Sequence, residues 1–248
     1  MTDPFAHHPE LRDKITPLTE SFFRDFSLEK LAPVLAEAGI TEFPVYDDAT
    51  REAIRAEALA RRPEGDLWVF AYGSLLWDPA LDFAELRRAV APHHERRFIL
   101  RDIYGARGTA EAPGLMAALD AGPGCAGLVF RIAEEKIEAE TDILFRREML
   151  GPGYHAAFIP VMIGDPADDM HATALTFTAD HATDIIASDI TIGEQIGHIA
   201  TGHGFLGTSF AYLQNVITHL HDMGIPDPDL DALMEDVLAF RAKLDAES

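Results

Sequence analysis

Leu67-Trp68-Val69-Phe70-Ala71-Tyr72-Gly73-Ser74-Leu75-Leu76-Trp77 decides how this chain is read. A short apolar run that ends at a glycine reads as a strand, and this one runs straight into a Gly-Ser turn. Such a junction leaves several backbone N–H groups aimed at one spot, a nest suited to a carboxylate or carbonyl oxygen. A serine nucleophile is the other chemistry to weigh. The G-x-S-x-G elbow is absent and nothing nearby reads as its histidine and acid partners, so Ser74 is better placed as a hydrogen-bond donor. The same residues also fit an ordinary tight turn, because Gly and Ser are common there.

Outward from this stretch, further apolar runs broken by Gly and Pro read as strands: Arg97 to Ile103, Leu115 to Leu119, Ala126 to Ile132, Ala156 to Ile163 and Ala172 to Thr178. One strong helix interrupts them, Glu134 to about Met149, with Ile137, Ile143 and Leu144 on one face and its charges expected outward. The middle of the chain is therefore expected to be an α+β fold, a small mixed β-barrel or sheet. Helices flank it. Before it, Ser27 is placed to cap Leu28 to Ala38, and an Ala-rich run from Arg51 to Arg62 follows Asp47-Asp48. After it, Thr191 and Glu194 have capping-box spacing, and helices are expected over Thr208 to Asp222 and Pro228 to Leu244. No linker or repeat marks a boundary. The division expected is a helical N-terminal extension over residues 1–65 and a mixed α+β unit over residues 66–248.

The 248 residues carry twenty Lys+Arg against forty-two Asp+Glu, a formal charge of −22. That charge repels phosphate backbones and anionic bilayers, which argues against nucleic-acid and membrane-surface partners. The cations are concentrated: ten of the twenty fall between Arg87 and Arg147, so the middle of the chain is where an anion would be held. The single cysteine, Cys125, cannot form an internal disulfide, and Met1 to Phe5 has no basic-then-apolar leader pattern. A cytoplasmic protein is the expectation.

Three further signals stand in the sequence. Gly202-His203-Gly204-Phe205-Leu206-Gly207 spells a dinucleotide fingerprint, with Asp227 near the ribose-binding distance, but it follows a helix where that motif needs a strand. It reads as a loop between helices. Eleven histidines include His219-x-His221, which a helix points apart, so a shared metal ion is not expected and a solvated surface role is. In Arg146-Arg147-Glu148-Met149-Leu150-Gly151-Pro152-Gly153-Tyr154, a carboxylate stands at a helix C-terminus, where the dipole disfavours negative charge. If also buried, Glu148 has a raised pKa and can shuttle a proton; if solvated, it is an ion-pair partner of Arg146 or Arg147.

Together the Val69–Trp77 stretch, Arg107-Gly108-Thr109-Ala110-Glu111-x-Pro113-Gly114, Arg147-Glu148-Met149-Leu150 with Tyr154, and the tail from Ile199 through Tyr212-Leu213 to Asp231-x-Leu233 resemble the ChaC branch of the γ-glutamylcyclotransferases. Two positions depart from the pattern: Ala71, where many members have a second Gly, and Ser209, where an Asn is expected. The resemblance covers Leu67 to the end and implies a compact β-barrel with flanking helices. It implies an enzyme that cuts the γ-glutamyl amide of glutathione into 5-oxoproline and cysteinylglycine, the substrate's own α-amine being the nucleophile. The implied catalytic residue is Glu148, as general acid and base. The implied substrate-binding residues are Ala71, Tyr72, Gly73, Ser74, Leu75, Leu76, Arg107 and Tyr154, with Arg97 or Arg101 as alternatives to Arg107 for the substrate carboxylates. The expected partner is a small molecule, with no metal or cofactor required. Two rivals stay open: a cyclotransferase for other γ-glutamyl amines, and a non-catalytic regulator or ligand sensor linked to cation transport.

Overall fold

The structure, a computed structural model, describes residues 3–37, 39–40, 44–164 and 170–247. Met1, Thr2 and Ala38, named above, lie outside the described residues.

Seven strands follow one another through the middle of the chain: β1 (Leu67–Ala71), β2 (Glu85–Ala91), β3 (His94–Tyr104), β4 (Thr109–Ala121), β5 (Cys125–Ile132), β6 (Tyr154–Ile163) and β7 (Met170–Ala179). Five of them close on themselves. β1 pairs antiparallel with β5, β5 with β2, β2 with β6 and β6 with β7, and β7 returns parallel to β1 through Trp68↔Ala174 and Val69↔Leu175. Closure leaves no free edge in this ring. The long β3–β4 hairpin is joined to it through the parallel contact of Leu119 with Thr178. β2 is a strand that the sequence reading missed. Its Arg87 and Arg88 sit in mid-strand and only Leu86, Ala89 and Ala91 are buried, so it presents no apolar run.

Among the described residues six α-helices complete the fold: α1 (Leu28–Glu37), α2 (Asp48–Leu59), α3 (Ile137–Glu148), α4 (Ile192–Thr201), α5 (Ser209–Asp222) and α6 (Pro228–Glu247). Their starts are chemically marked. The Asp47 carboxylate accepts the Thr50 N–H at 2.7 Å, Thr191 and Glu194 close a full capping box, and the Thr208 hydroxyl accepts the Ala211 N–H at 3.0 Å. Phe70, Phe130, Phe145 and Phe177 are fully buried, each contributing about 1.5–3 kcal/mol on burial. Leu11, Ile15 and Ala58, from the region before β1, share one hydrophobic cluster with Val69, Phe130 and Phe145.

Two expectations are corrected here. The charges of α3 do not all face water: Glu140 is buried, because Arg24 from the N-terminal region forks onto its carboxylate. His219 is not a solvated surface group, since its ring stacks on Trp77 at 4.4 Å and 12°. His221 turns away to Asp231. The 202–207 glycine motif joins α4 to α5 through the two-residue strands β8 (His203–Gly204) and β9 (Gly207–Thr208), with a helix before it.

Candidate active site

β1 ends at Ala71, and the chain turns through Tyr72-Gly73 into a single 3-10 turn, Ser74–Leu76. The Leu76 N–H donates to Gly73 O at 2.9 Å. The N–H groups of Gly73, Ser74 and Leu75 have no acceptor among the described residues, so they are open to a ligand oxygen. The side chains of Ala71, Leu75 and Leu76 point into the core, so their share in any ligand contact is through the backbone. Tyr72 is also buried: its hydroxyl donates to Phe177 O at 2.9 Å, and its own carbonyl accepts from Arg96 Nε. The loop is thereby held from both sides.

Facing it is the last turn of α3. Arg147 Nε lies 2.8 Å from Glu148 Oε1, and Arg147 Nη2 donates to Ser74 Oγ at 2.8 Å. One guanidinium edge therefore carries both the Ser74 hydroxyl and the Glu148 carboxyl. Both readings of Glu148 hold in part. It is paired with Arg147, yet its side chain is only 16% exposed, and burial pushes its carboxyl above the ordinary glutamate range while Arg147 pulls it back. Arg146 is engaged elsewhere, with Asp142 and the Phe26 carbonyl.

Three tyrosines crowd the carboxyl. The Tyr154 hydroxyl, from the first residue of β6, donates to Ala117 O at 2.9 Å. Tyr212, on α5, places its hydroxyl 3.6 Å from where a Cβ on Gly73 would stand. Burial pushes Tyr212 up to about 12, with the charge of Glu148 adding to it, and Tyr72 and Tyr154 are raised well above ordinary tyrosine for the same leading reason. All three are neutral hydrogen-bonding groups at physiological pH. A cleft of about 160 Å³ opens onto this cluster, lined by Glu148, Arg147, Tyr154, Arg101, Tyr104 and Pro44.

The cations sort themselves clearly. Arg97 is committed to Asp120 at 2.7 Å, and neither it nor Arg107 lines this cleft. Arg101 lines the cleft, donates through Nη2 to Asp184 O at 2.8 Å, and has no carboxylate within 4 Å among the described residues. Arg107 stands 5.3 Å over the Tyr212 ring, likewise without a carboxylate partner among the described residues. Its loop is tightly folded: a Cβ on Gly108 would lie 2.0 Å from Gly114 N, and one on Gly204 would lie 2.0 Å from Gly105 O. Those glycines let the β8–β9 hairpin press its backbone against the loop carrying Arg107.

Other sequence candidates fall away from the cleft. Burial raises the Cys125 thiol, which disfavours the thiolate a nucleophile needs. Ser209, fully buried, donates to Leu115 O at 2.6 Å and accepts its N–H at 2.9 Å, tying α5 to β4. No group of three or more metal-ligating side chains occurs among the described residues. The sequence reading missed Arg147 and Tyr212 as site residues. An arginine next to a glutamate in sequence reads as a surface pair, and Tyr212 is brought in only by the packing of α5.

A glycine loop at the mouth of a closed barrel, opposed by a buried carboxyl, defines a class when set beside solved structures. The chain superposes on the crystal structure of a γ-glutamylcyclotransferase specific to glutathione from yeast with a TM-score of 0.63, 21% identity, and coverage of 72% of this chain and 98% of that one. The fold is that of the γ-glutamylcyclotransferases. The family model described as ChaC-like protein matches residues 67–240, and the chain belongs to that family. Among curated relatives, the glutathione-specific γ-glutamylcyclotransferase of Escherichia coli is 34% identical over 209 residues, 84% of this chain and 89% of that protein. The enzyme of the same name from Schizosaccharomyces pombe is 26% identical over 68% of this chain and 89% of its own length.

Proposed function

We propose that the protein is a glutathione-specific γ-glutamylcyclotransferase. The observation that carries this reading is the Arg147 guanidinium held 2.8 Å from both the Ser74 hydroxyl and the Glu148 carboxyl, which sets a proton-transfer group beside a ready-made oxyanion nest. The substrate's α-amine attacks its own γ-carbonyl carbon. A C–N bond closes the five-membered ring, the proton lost by the amine passes to Glu148, and the amide C–N bond to cysteine breaks as Glu148 returns that proton to the departing amine. The products are 5-oxoproline and cysteinylglycine, and no water is consumed. Because both partners belong to one molecule, the site's work is orientation and charge stabilisation. The free N–H groups of Gly73 to Leu75 suit the carbonyl oxygen as it gains charge, and Ser74 suits the glutamyl moiety.

Two carboxylates remain on glutathione, and two guanidiniums near the cluster are without acidic partners. We assign Arg107 to the glutamyl end and Arg101, inside the cleft, to the glycine carboxylate. This favours glutathione over γ-glutamyl amines that lack the second carboxylate. A proton-shuttling carboxyl has no use in a pure sensor, and no helix among the described residues is long and apolar enough to cross a membrane. We place the enzyme in the cytoplasm, with residues 66–248 as its catalytic unit. The test is 5-oxoproline release by the purified protein from glutathione, from its glycine amide and from γ-glutamylethylamide, which has no second carboxylate. Glutathione is expected to lead in kcat/KM by at least tenfold, and Arg101→Ala to narrow that lead by raising KM for glutathione alone. Equal turnover of all three would remove the assignment of Arg101, and no 5-oxoproline from any would remove the reading itself.

A further inference from the structure

The match to the ChaC-like family begins at residue 67, yet a residue from well before that point touches the guanidinium on which the site turns. Phe23 lies in a short 3-10 turn, Phe22–Asp25, whose start is fixed by the Ser21 hydroxyl accepting the Phe23 N–H at 3.2 Å. The guanidinium carbon of Arg147 stands 4.0 Å from the centre of its ring. The flanking residues anchor the same turn to α3: Arg24 forks onto Glu140, and the Phe26 carbonyl accepts from Arg146 Nη1 at 2.9 Å. Three successive contacts thus hold this turn along the helix that ends in Glu148.

We propose that Phe23 is a positioning residue for the Glu148 chemistry, its ring backing the Arg147 guanidinium so that the edge bonded to Ser74 and Glu148 stays in one orientation. The physical argument is directional. A guanidinium has five donors and several ways to spend them, and an aromatic face pressed against its plane blocks rotation out of that plane while attracting its charge. Arg147 spends its donors on Ser74, Glu148 and the Asp78 carbonyl. Without the ring, that plane is free to tilt and the ion pair with Glu148 loosens. The groups that then face Glu148 are the neutral tyrosines Tyr72, Tyr154 and Tyr212, with Arg101, Asp102 and Tyr104 along the cleft, and the carboxyl keeps less of the positive charge that favours its anion.

The inference rests on the reading of Glu148 as the proton carrier, so its test uses a readout that does not need turnover. Phe23→Leu keeps apolar volume and removes the aromatic face; Phe23→Tyr restores the face. The Glu148 side-chain carboxyl is followed by carbon NMR as pH is varied, and kcat is measured against pH in parallel. In Phe23→Leu the carboxyl midpoint is expected to move upward by about half a unit or more and kcat near neutrality to fall about tenfold, with Tm changed little. Phe23→Tyr is expected to bring both back. A folded Phe23→Leu variant whose Glu148 midpoint matches the wild type overturns the proposal, whatever its activity. A shifted midpoint in a protein that releases no 5-oxoproline would uphold Phe23 as the positioning residue and refute the enzymatic reading instead. If Phe23→Leu does not fold, Phe23→Met carries the same comparison.

Discussion

Glu148 has three influences competing for its proton: burial, which favours the neutral acid, the C-terminal end of α3, which disfavours the anion, and the Arg147 guanidinium, which favours the anion. Burial wins, and the carboxyl titrates above the ordinary glutamate value of about 4.3. In the mechanism we propose, the ring-closing step needs the carboxylate as base. Activity should therefore fall as pH drops through the raised midpoint, so the acid limb of the kcat profile should lie above the ordinary glutamate range. Glu148→Gln keeps shape and hydrogen-bonding reach but moves no proton. Binding of glutathione by calorimetry should survive, while kcat should fall by about 10³ or more, because one carboxyl serves both proton transfers. Retention of more than about a tenth of kcat would make Glu148 a structural ion-pair residue. Cys125→Ala, measured beside it, should leave kcat unchanged. At this scale the sequence was partly legible: the anion-disfavouring position of Glu148 could be read from its place before a glycine turn. The double grip of Arg147 could not, because Ser74 and Arg147 meet only after the barrel has closed.

The elements tell a related story through α3. Its buried Glu140 accepts two bonds from Arg24 and the Asp82 N–H at 2.9 Å, so a carboxylate that reads as solvent-facing from its sequence is instead the anchor of the N-terminal turn. Removing one partner of a buried pair leaves the other charge uncompensated, at a cost of about 3–5 kcal/mol. Arg24 is 28% exposed and Glu140 keeps the Asp82 bond, which places Arg24→Met at about 3 kcal/mol in urea unfolding. Arg24→Met with Glu140→Leu should recover most of that loss. If the single variant costs under about 0.5 kcal/mol, the pair is no more than a surface contact. Strand legibility followed burial. β1 and β5 are buried at most positions and β7 over its central Ala174–Phe177, so they stand out as apolar runs, whereas β2 has two arginines in mid-strand and stays hidden until β5 and β6 are seen on either side of it.

Across the whole molecule, the fold disperses the ten cations that the sequence gathers between Arg87 and Arg147: Arg101 and Arg147 line the cleft, while Arg88, Arg96, Arg97, Arg131 and Lys136 pair with carboxylates elsewhere. The helices before β1 were legible as helices, from their caps and spacing, but their place was not. Nothing in residues 21–26 announces that Phe23 will lie against Arg147, or that Pro44 will line the cleft. Such contacts are long-range and carry no local pattern. The central claim joins these scales: the site orients a substrate that attacks itself, and no enzyme nucleophile or water enters the reaction. Turnover of glutathione in water enriched with oxygen-18, with products read by mass spectrometry, tests this directly. The account predicts 5-oxoproline and cysteinylglycine in equal amounts, both without label. Glutamate carrying one heavy oxygen would mean that water attacks the γ-carbonyl, and would contradict it.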